Sequence, residues 1–265
     1  MESSAPPQPP PGYLPVSNWR YRDVAFAFVA GVLGSLVVTV ILTAAGVDPL
    51  DPLPFALVFA GQAAGSFAII FWLSRQHGSG SLSADTGLVL RIGDWWGIPA
   101  GMLLQILIAV ITLPLLTLLF PDGAPEQGVS EIAGASETFI EQLFVIMALA
   151  VAAPIIEEIV FRGMLLSALR RSFGSVASVV ISAGVFAAVH LVDVNAIAAV
   201  PGLFLLGLVL GWVALRRGDL SLAIPIHSGI NLLAAIALLW GDDLLRWSEQ
   251  QLQDIEGLLR LIPFW

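Results

Sequence analysis

Long apolar stretches separated by short polar segments make up most of this chain. Seven such stretches follow a polar beginning. A helix of about 20 apolar residues crosses the roughly 30 Å hydrocarbon core of a bilayer, and it satisfies its own backbone hydrogen bonds there. We therefore predict an all-α polytopic membrane bundle with seven transmembrane helices, at 23–46, 53–74, 96–120, 138–169, 176–192, 196–215 and 220–240.

The two ends of the chain differ from these spans. Residues 1–19 are polar and rich in proline, which predicts a disordered cytoplasmic tail without a cleaved signal sequence. Residues 241–265 carry leucine and isoleucine at helical spacing with acidic residues between them, which predicts an interfacial amphipathic helix. The transmembrane bundle itself is predicted to occupy 20–240.

Composition supports the membrane class and narrows the chemistry. Hydrophobic residues make up 57% of the 265 residues, charged residues only 12%, and the mean hydropathy is +0.90. Soluble domains have about 25% charged residues. The absence of cysteine excludes disulfides and cysteine-ligated metals. The net charge of -9, with no basic stripe, argues against nucleic acid as a partner.

The arginines indicate an orientation. Eight of them flank alternate ends of the predicted spans, and the intervening loops carry acidic residues and no arginine. They are Arg20, Arg22, Arg75, Arg91, Arg170, Arg171, Arg216 and Arg217. The positive-inside rule then places the N-terminus in the cytoplasm. We expect a multi-pass protein of the plasma membrane, the cytoplasmic membrane of a bacterium.

Spans one to three contain few polar residues that require an explanation. Gln62 and Gln105 are interpreted as polar groups in helix packing. Close-approach positions are expected at Gly31 and Gly34, or at Gly61 and Gly65.

Span four contains three ionisable residues, Glu157, Glu158 and Arg162. A charge at the bilayer centre costs at least about 2.5–3.5 kcal/mol, so these side chains must face protein or a wet cavity. Glu158 and Arg162 are four residues apart and can pair on one helix face. Glu157 is rotated by about 100° from Glu158 and is left available. A buried structural pair would explain Glu158 and Arg162 but not Glu157, and Pro154 can open the helix nearby.

Spans five and seven add Phe186 with His190, and His227 with Asn231, each pair four residues apart. Taken singly, these residues are compatible with hydrogen-bonded helix contacts. Two histidines, one asparagine and an unpaired glutamate on three spans together indicate a functional site. Straight, full-length spans would leave His190 and His227 at different depths. Either span five begins later than predicted, or 190–196 dips back into the protein.

The order Glu157-Glu158-x-x-x-Arg162, Phe186-x-x-x-His190 and His227-x-x-x-Asn231 resembles the CPBP family, which includes type II CAAX prenyl endopeptidases and bacteriocin-processing or immunity proteins. The resemblance covers about 137–240. It implies an intramembrane protease whose substrate is a peptide or a protein C-terminus, prenylated where the host prenylates proteins. It also implies that Glu157 and His190 activate water and that His227 and Asn231 stabilise the oxyanion.

The residue types support the same assignment by their chemistry. Glu157 is suited to act as a general base, His190 to orient the water, and His227 and Asn231 to donate to a developing oxyanion. The pair of Glu158 and Arg162 would hold the helix in register.

A metal is a second mechanistic possibility. Glu157, His190 and His227, together with Glu158, are residue types that bind zinc or another divalent metal. Because Arg162 already neutralises one carboxylate, we favour a glutamate mechanism without a metal cofactor.

Two other classes of function stay open from the sequence. A proton-coupled transporter also uses buried Glu, Arg and His residues. A non-catalytic immunity or binding scaffold would keep the fold and tolerate substitution of Glu157.

The arginine distribution yields a test of topology. Reporter fusions in 75–95 and 170–175 are expected to report a cytoplasmic location, and fusions in 121–137 an external one. A cytoplasmic signal from 121–137 would contradict the predicted orientation of all seven spans.

Overall fold

The computed structural model describes residues 18–125 and 128–260, and within those ranges it consists of helices and the turns that join them. Seven segments in this part of the chain are long and apolar enough to cross a membrane: Tyr21–Ala44, Pro52–His77, Ile92–Leu119, Phe139–Leu169, Ser175–Val192, Val194–Arg217 and Ala223–Gly241. The predicted all-α polytopic bundle is therefore confirmed. The predicted N-terminal tail lies, apart from its last two residues, outside the described residues.

The α-helices are α1 (Tyr21–Ala44), α2 (Pro52–His77), α3 (Leu82–Thr86), α4 (Gly97–Leu119), α5 (Gly128–Gly134), α6 (Phe139–Ile146), α7 (Ala153–Glu157), α8 (Leu166–Leu169), α9 (Ser175–Val189), α10 (Val200–Arg217) and α11 (Ala223–Arg260). We call the continuous segment Phe139–Leu169 the site helix. It joins α6, α7 and α8 through two π-helical stretches, Met147–Ala152 and Glu158–Leu165.

α1 and α2 form a tightly packed antiparallel pair because glycines line their contact. A Cβ atom on Gly34 would overlap the carbonyl of Gly61, and one on Gly65 would overlap the carbonyl of Ala30. A Cβ on Gly31 would collide with the hydroxyl of Ser66. The predicted close-approach role of these glycines is confirmed, since any larger residue would force the two helices apart.

α4 and α11 are packed in the same way. A Cβ atom on Gly101 would overlap the carbonyl of Ile226, and one on Gly229 would overlap the carbonyl of Ile98. Gly229, at the crossing, lies two residues after His227 in α11. The close backbone contact with α4 therefore fixes the part of the helix that carries this histidine.

One end of the bundle is joined by ion pairs between segments far apart in sequence. Arg217 lies 2.6 Å from Asp94, and Arg91 lies 2.6 Å from Asp219. The hydroxyl of Ser221 also donates to Asp94, at 2.6 Å. Arg91 and Arg217 thus meet at the same end, as the arginine distribution predicts. Which side of the membrane this end faces stays a prediction.

The site helix begins with a capping box. The hydroxyl of Thr138 accepts from the backbone N–H of Glu141 at 3.3 Å, and the Glu141 carboxylate accepts from the backbone N–H of Thr138 at 2.8 Å. This reciprocal arrangement satisfies two of the free N–H groups at a helix start. It defines where the fourth span begins.

A short loop around α3 packs against the second half of the site helix. The backbone carbonyl of Thr86 lies so close to Gly163 that a Cβ atom there would meet it at 2.6 Å. Asp85 anchors the loop by accepting hydrogen bonds from the Ser74 hydroxyl at 2.5 Å and from the Ser79 N–H at 2.8 Å. Burial raises the pKa of Asp85, but these hydrogen bonds outweigh burial and leave the pKa below its usual value.

α9 is short. At about 1.5 Å per residue its 15 residues span about 22 Å, less than a bilayer core. It begins at Ser175, close to the predicted start, so a later start of span five is wrong. The chain instead leaves the α-helix at His190 and forms 3₁₀ turns over His190–Val192 and Val194–Ala199. This early end is what allows His190 to lie beside the other motif residues.

α11 runs without a break over 38 residues, Ala223–Arg260. At about 1.5 Å per residue it is about 57 Å long, so its second half extends beyond a bilayer core. The seventh span and the predicted C-terminal amphipathic segment are therefore one helix as far as residue 260, and the interfacial location of its second half stays a prediction.

Candidate active site

Glu158 and Arg162 form the ion pair that their spacing predicts. Both side chains are fully buried, and the Nη1 atom of Arg162 lies 2.9 Å from Oε1 of Glu158. Within the described residues the guanidinium nitrogens form no hydrogen bond of good geometry. The guanidinium carbon instead lies 4.4 Å from the ring centre of Phe186, in a cation–π contact. Charge and the aromatic face therefore hold Arg162.

His227 lies between the two adjacent glutamates. Its ring is 2% exposed, with Nδ1 at 2.9 Å from Oε1 of Glu158 and Nε2 at 3.5 Å from Oε2 of Glu157. The Glu158 carboxylate accepts a hydrogen bond from the Nδ1–H group, and Nε2 on the other side of the ring is directed at Glu157. One imidazole thus links the paired carboxylate to the other one.

Glu157 faces a cavity of about 230 Å³ that His190 also lines. The Glu157 side chain is 25% exposed, whereas Glu158 on the next residue is fully buried. The predicted division of the two carboxylates is thus visible in the structure: Glu158 has the buried counter-ion, and Glu157 has access to space in which water and substrate can bind. We call this volume the site cavity.

His190 is held in one tautomer by the end of α9. Its Nδ1 atom lies 2.8 Å from the backbone carbonyl of Phe186, one turn earlier. A carbonyl only accepts, so Nδ1 carries the proton and Nε2 of the neutral ring keeps its lone pair. His190 can therefore orient a water molecule through Nε2.

Phe186 packs against three polar side chains of the site, those of Arg162, His190 and His227. Its ring makes edge contacts with His190 and His227, with centroid separations of 4.9 and 5.8 Å, and a third with Phe161 at 5.2 Å. Sequence reasoning recognised Phe186 only as the first residue of a motif. Its position against two histidines and Arg162 depends on the packing of α9 on the site helix and could not be deduced from spacing.

Asn231 is bound to the backbone of the site helix. Its Nδ2 atom donates to the carbonyl of Leu149 at 2.8 Å. In this π-helical stretch the N–H of residue i+5 donates to the carbonyl of residue i, as Ala153 does to Ala148. The corresponding donor for Leu149 would be residue 154, a proline without an N–H. Asn231 thus supplies the hydrogen bond that Pro154 removes.

The structure brings all six predicted residues to one region but gives them different surroundings. Glu157 and His190 line the site cavity; Glu158, Arg162, His227 and Asn231 do not. The oxyanion role predicted for His227 and Asn231 stays a prediction. Two residues of α2 also line the site cavity: Gln62, interpreted from the sequence only as a helix-packing group, and Ser66, which belongs to no motif.

The donors suggested for a metal are not clustered. Among the described residues, no group of three or more His, Cys, Asp and Glu side chains is placed to hold a metal ion. His227 is near Glu157 and bound to Glu158, while the Nδ1 of His190 is bound to a backbone carbonyl. The proposed set of Glu157, His190 and His227 would need rearrangement to act as ligands.

The comparison with protein families finds a match in the second half of the chain. Residues 139–233 match the Rce1-like family of type II CAAX prenyl endopeptidases. The match spans the site helix and all three motifs, and it supports membership of the CPBP family. No curated protein and no solved structure matches the chain.

The buried ion pair predicts different outcomes for the two glutamates. Glu158→Ala should destabilise the protein by about 3–5 kcal/mol, because it leaves Arg162 buried without its carboxylate. Glu157→Ala should fold normally, since that side chain is partly exposed. Folded yield and thermal unfolding in detergent provide the measurement. Normal folding of Glu158→Ala together with loss of folded Glu157→Ala would reverse the assignment.

The link between Asn231 and Pro154 predicts a coupled pair of substitutions. Asn231→Leu should destabilise the protein by about 1–3 kcal/mol, because the Leu149 carbonyl loses its donor. Pro154→Ala restores a backbone N–H at that position, so in this background Asn231→Leu should cost less. A double-mutant cycle on thermal unfolding measures the coupling. Equal costs in both backgrounds would contradict the explanation.

Proposed function

From the family match and the placement of Glu157 and His190, we propose that this chain is an intramembrane endopeptidase that hydrolyses peptide bonds in the site cavity. The observation that carries the proposal is the difference in surroundings between two adjacent carboxylates. Glu158 is buried against Arg162 and His227, whereas Glu157 faces the cavity beside His190. An uncommitted carboxylate at a cavity inside a membrane bundle is suited to act as a base.

The mechanism uses Glu157 as the base and His190 to position the water. Nε2 of His190 orients the water. Glu157 removes a proton from this water while the water oxygen bonds to the carbonyl carbon of the substrate. Glu157 then delivers the proton to the leaving nitrogen as the C–N bond breaks, which yields a carboxylic acid and an amine.

His227 stabilises the intermediate in which Glu157 holds the proton taken from water. Its Nε2 atom faces Glu157 and can share the transferred proton while the C–N bond is still intact. The Glu158 carboxylate stabilises the resulting imidazolium, as the aspartate does in a serine protease triad. Arg162 in turn pairs with the Glu158 carboxylate at 2.9 Å.

The cavity indicates the class of substrate. Its lining includes Val160, Phe161 and Val189, and it reaches the outer face of α1 at Phe28 and Val32, which are 37% and 47% exposed. An apolar opening toward lipid fits a peptide that arrives from the membrane. We propose a C-terminal peptide as substrate, prenylated if the host modifies proteins in this way.

Turnover of a peptide panel by the purified protein tests the proposal. C-terminal peptides with and without a prenyl group are incubated with wild type, Glu157→Ala and His190→Ala. Both variants should lose turnover because each lacks a group that activates water. Glu131→Ala, which removes an exposed carboxylate on α5, serves as the matched control. Equal turnover by Glu157→Ala and wild type would refute the mechanism, and proton flux without cleavage would favour a transporter.

Chelation separates the glutamate mechanism from a metal-dependent one. In the glutamate mechanism, purified protein should contain far less than one transition-metal ion per chain, and activity should survive exhaustive chelation. A catalytic metal would instead polarise the carbonyl and lower the pKa of its bound water toward about 7. Stoichiometric zinc that disappears in His227→Gln would establish the metal-dependent alternative.

A further inference from the structure

Gln62 is a cavity residue that belongs to none of the three motifs. It belongs to α2, outside the segment that matches the family, and it lines the same cavity as Glu157 and His190. Its stem packs against α1 at Gly31, where a Cβ atom would come within 3.4 Å of its Cγ.

The amide of Gln62 is uncommitted. Within the part of the chain that the structure describes, its side chain forms no hydrogen bond, whereas the neighbouring Ser66 hydroxyl donates to the carbonyl of Ala27 at 3.1 Å. A polar amide inside a membrane bundle is costly unless it has a partner. A partner supplied by bound substrate would satisfy it.

The proposed reaction needs a hydrogen-bond donor in the site cavity. The carbonyl oxygen becomes negatively charged when water adds, and a hydrogen-bond donor aimed at it lowers the barrier. His227 directs its Nδ1 proton to Glu158, and Asn231 directs one N–H to Leu149. Neither residue lines the cavity. Of the polar side chains that line it, Gln62 brings free N–H donors.

The size of the cavity allows a bound peptide group to contact Gln62 as well as Glu157 and His190. Its volume of about 230 Å³ is below the roughly 300–1,000 Å³ of typical ligand pockets. When water held by Glu157 and His190 attacks the carbonyl carbon, the carbonyl oxygen points away from the attacking water and needs a donor elsewhere in the cavity lining.

We infer that the side-chain N–H of Gln62 donates to the carbonyl oxygen of the scissile peptide group and stabilises the oxyanion. This inference rests on the proposed function. It assigns part of the catalytic machinery to α2, while Glu157 and His190 act from the site helix and the end of α9.

Replacement of Gln62 by methionine tests the inference, because methionine keeps the length of the side chain and removes its donors. Gln62→Met should lower kcat about 100- to 1,000-fold with little change in KM, as loss of one oxyanion donor does elsewhere. Gln105→Met is the matched control: the same change on α4, at a half-buried glutamine that does not line the cavity. If Gln62 served only in packing, the two variants would behave alike.

A binding measurement decides the inference separately from turnover. The probe is a peptide aldehyde, whose hydrate resembles the tetrahedral intermediate, compared with the unmodified peptide. Gln62→Met and Gln62→Glu should weaken aldehyde binding at least tenfold relative to Gln105→Met, and peptide binding much less. If wild type cleaves no peptide, the proposed function fails, and aldehyde binding still tests Gln62. Aldehyde binding equal in Gln62→Met and Gln105→Met, or absent in wild type, would overturn the inference.

Discussion

A carboxylate and a guanidinium buried side by side in a membrane-spanning helix must be compensated by their surroundings, because a lone charge at that depth costs at least about 2.5–3.5 kcal/mol. Glu158 and Arg162 are in this position, with no exposed surface. The Phe186 ring covers the guanidinium and His227 binds the carboxylate. Through these contacts α9, which carries Phe186, and α11, which carries His227, pack against the site helix. The ion pair therefore determines where the catalytic candidates lie.

Environment distinguishes two chemically identical neighbours. Glu158 is enclosed by Arg162 and His227, while Glu157 reaches the site cavity and approaches the same histidine from the other side. Such contrasts between paired carboxyl groups are how a protein assigns acid, base and structural roles. In the proposed mechanism Glu158 orients the His227 ring by accepting a hydrogen bond from its Nδ1–H group, and Nε2 of His227 faces Glu157.

The site helix departs from regular α-helical geometry on both sides of Glu157. Two π-helical stretches flank the turn that holds Glu157, and Pro154 removes a backbone donor between them. Asn231 on α11 fills that gap. π-Helical segments occur frequently at functional sites. Here the irregular backbone is stabilised by a side chain from another helix, which couples the shape of the site helix to the position of α11.

The sequence alone determined the spans and the residue types of the site. Bilayer thickness sets a fixed helix length, so hydropathy located all seven spans within a few residues, and the cost of buried charge singled out Glu157 and the pairing of Glu158 with Arg162. Motif order indicated a resemblance to the family whose model matches residues 139–233. Tertiary structure alone decided which carboxylate His227 binds, that Asn231 serves a backbone carbonyl, and that Gln62 shares the cavity. These contacts join helices distant in sequence, and helical periodicity contains no information about which faces of separate helices meet.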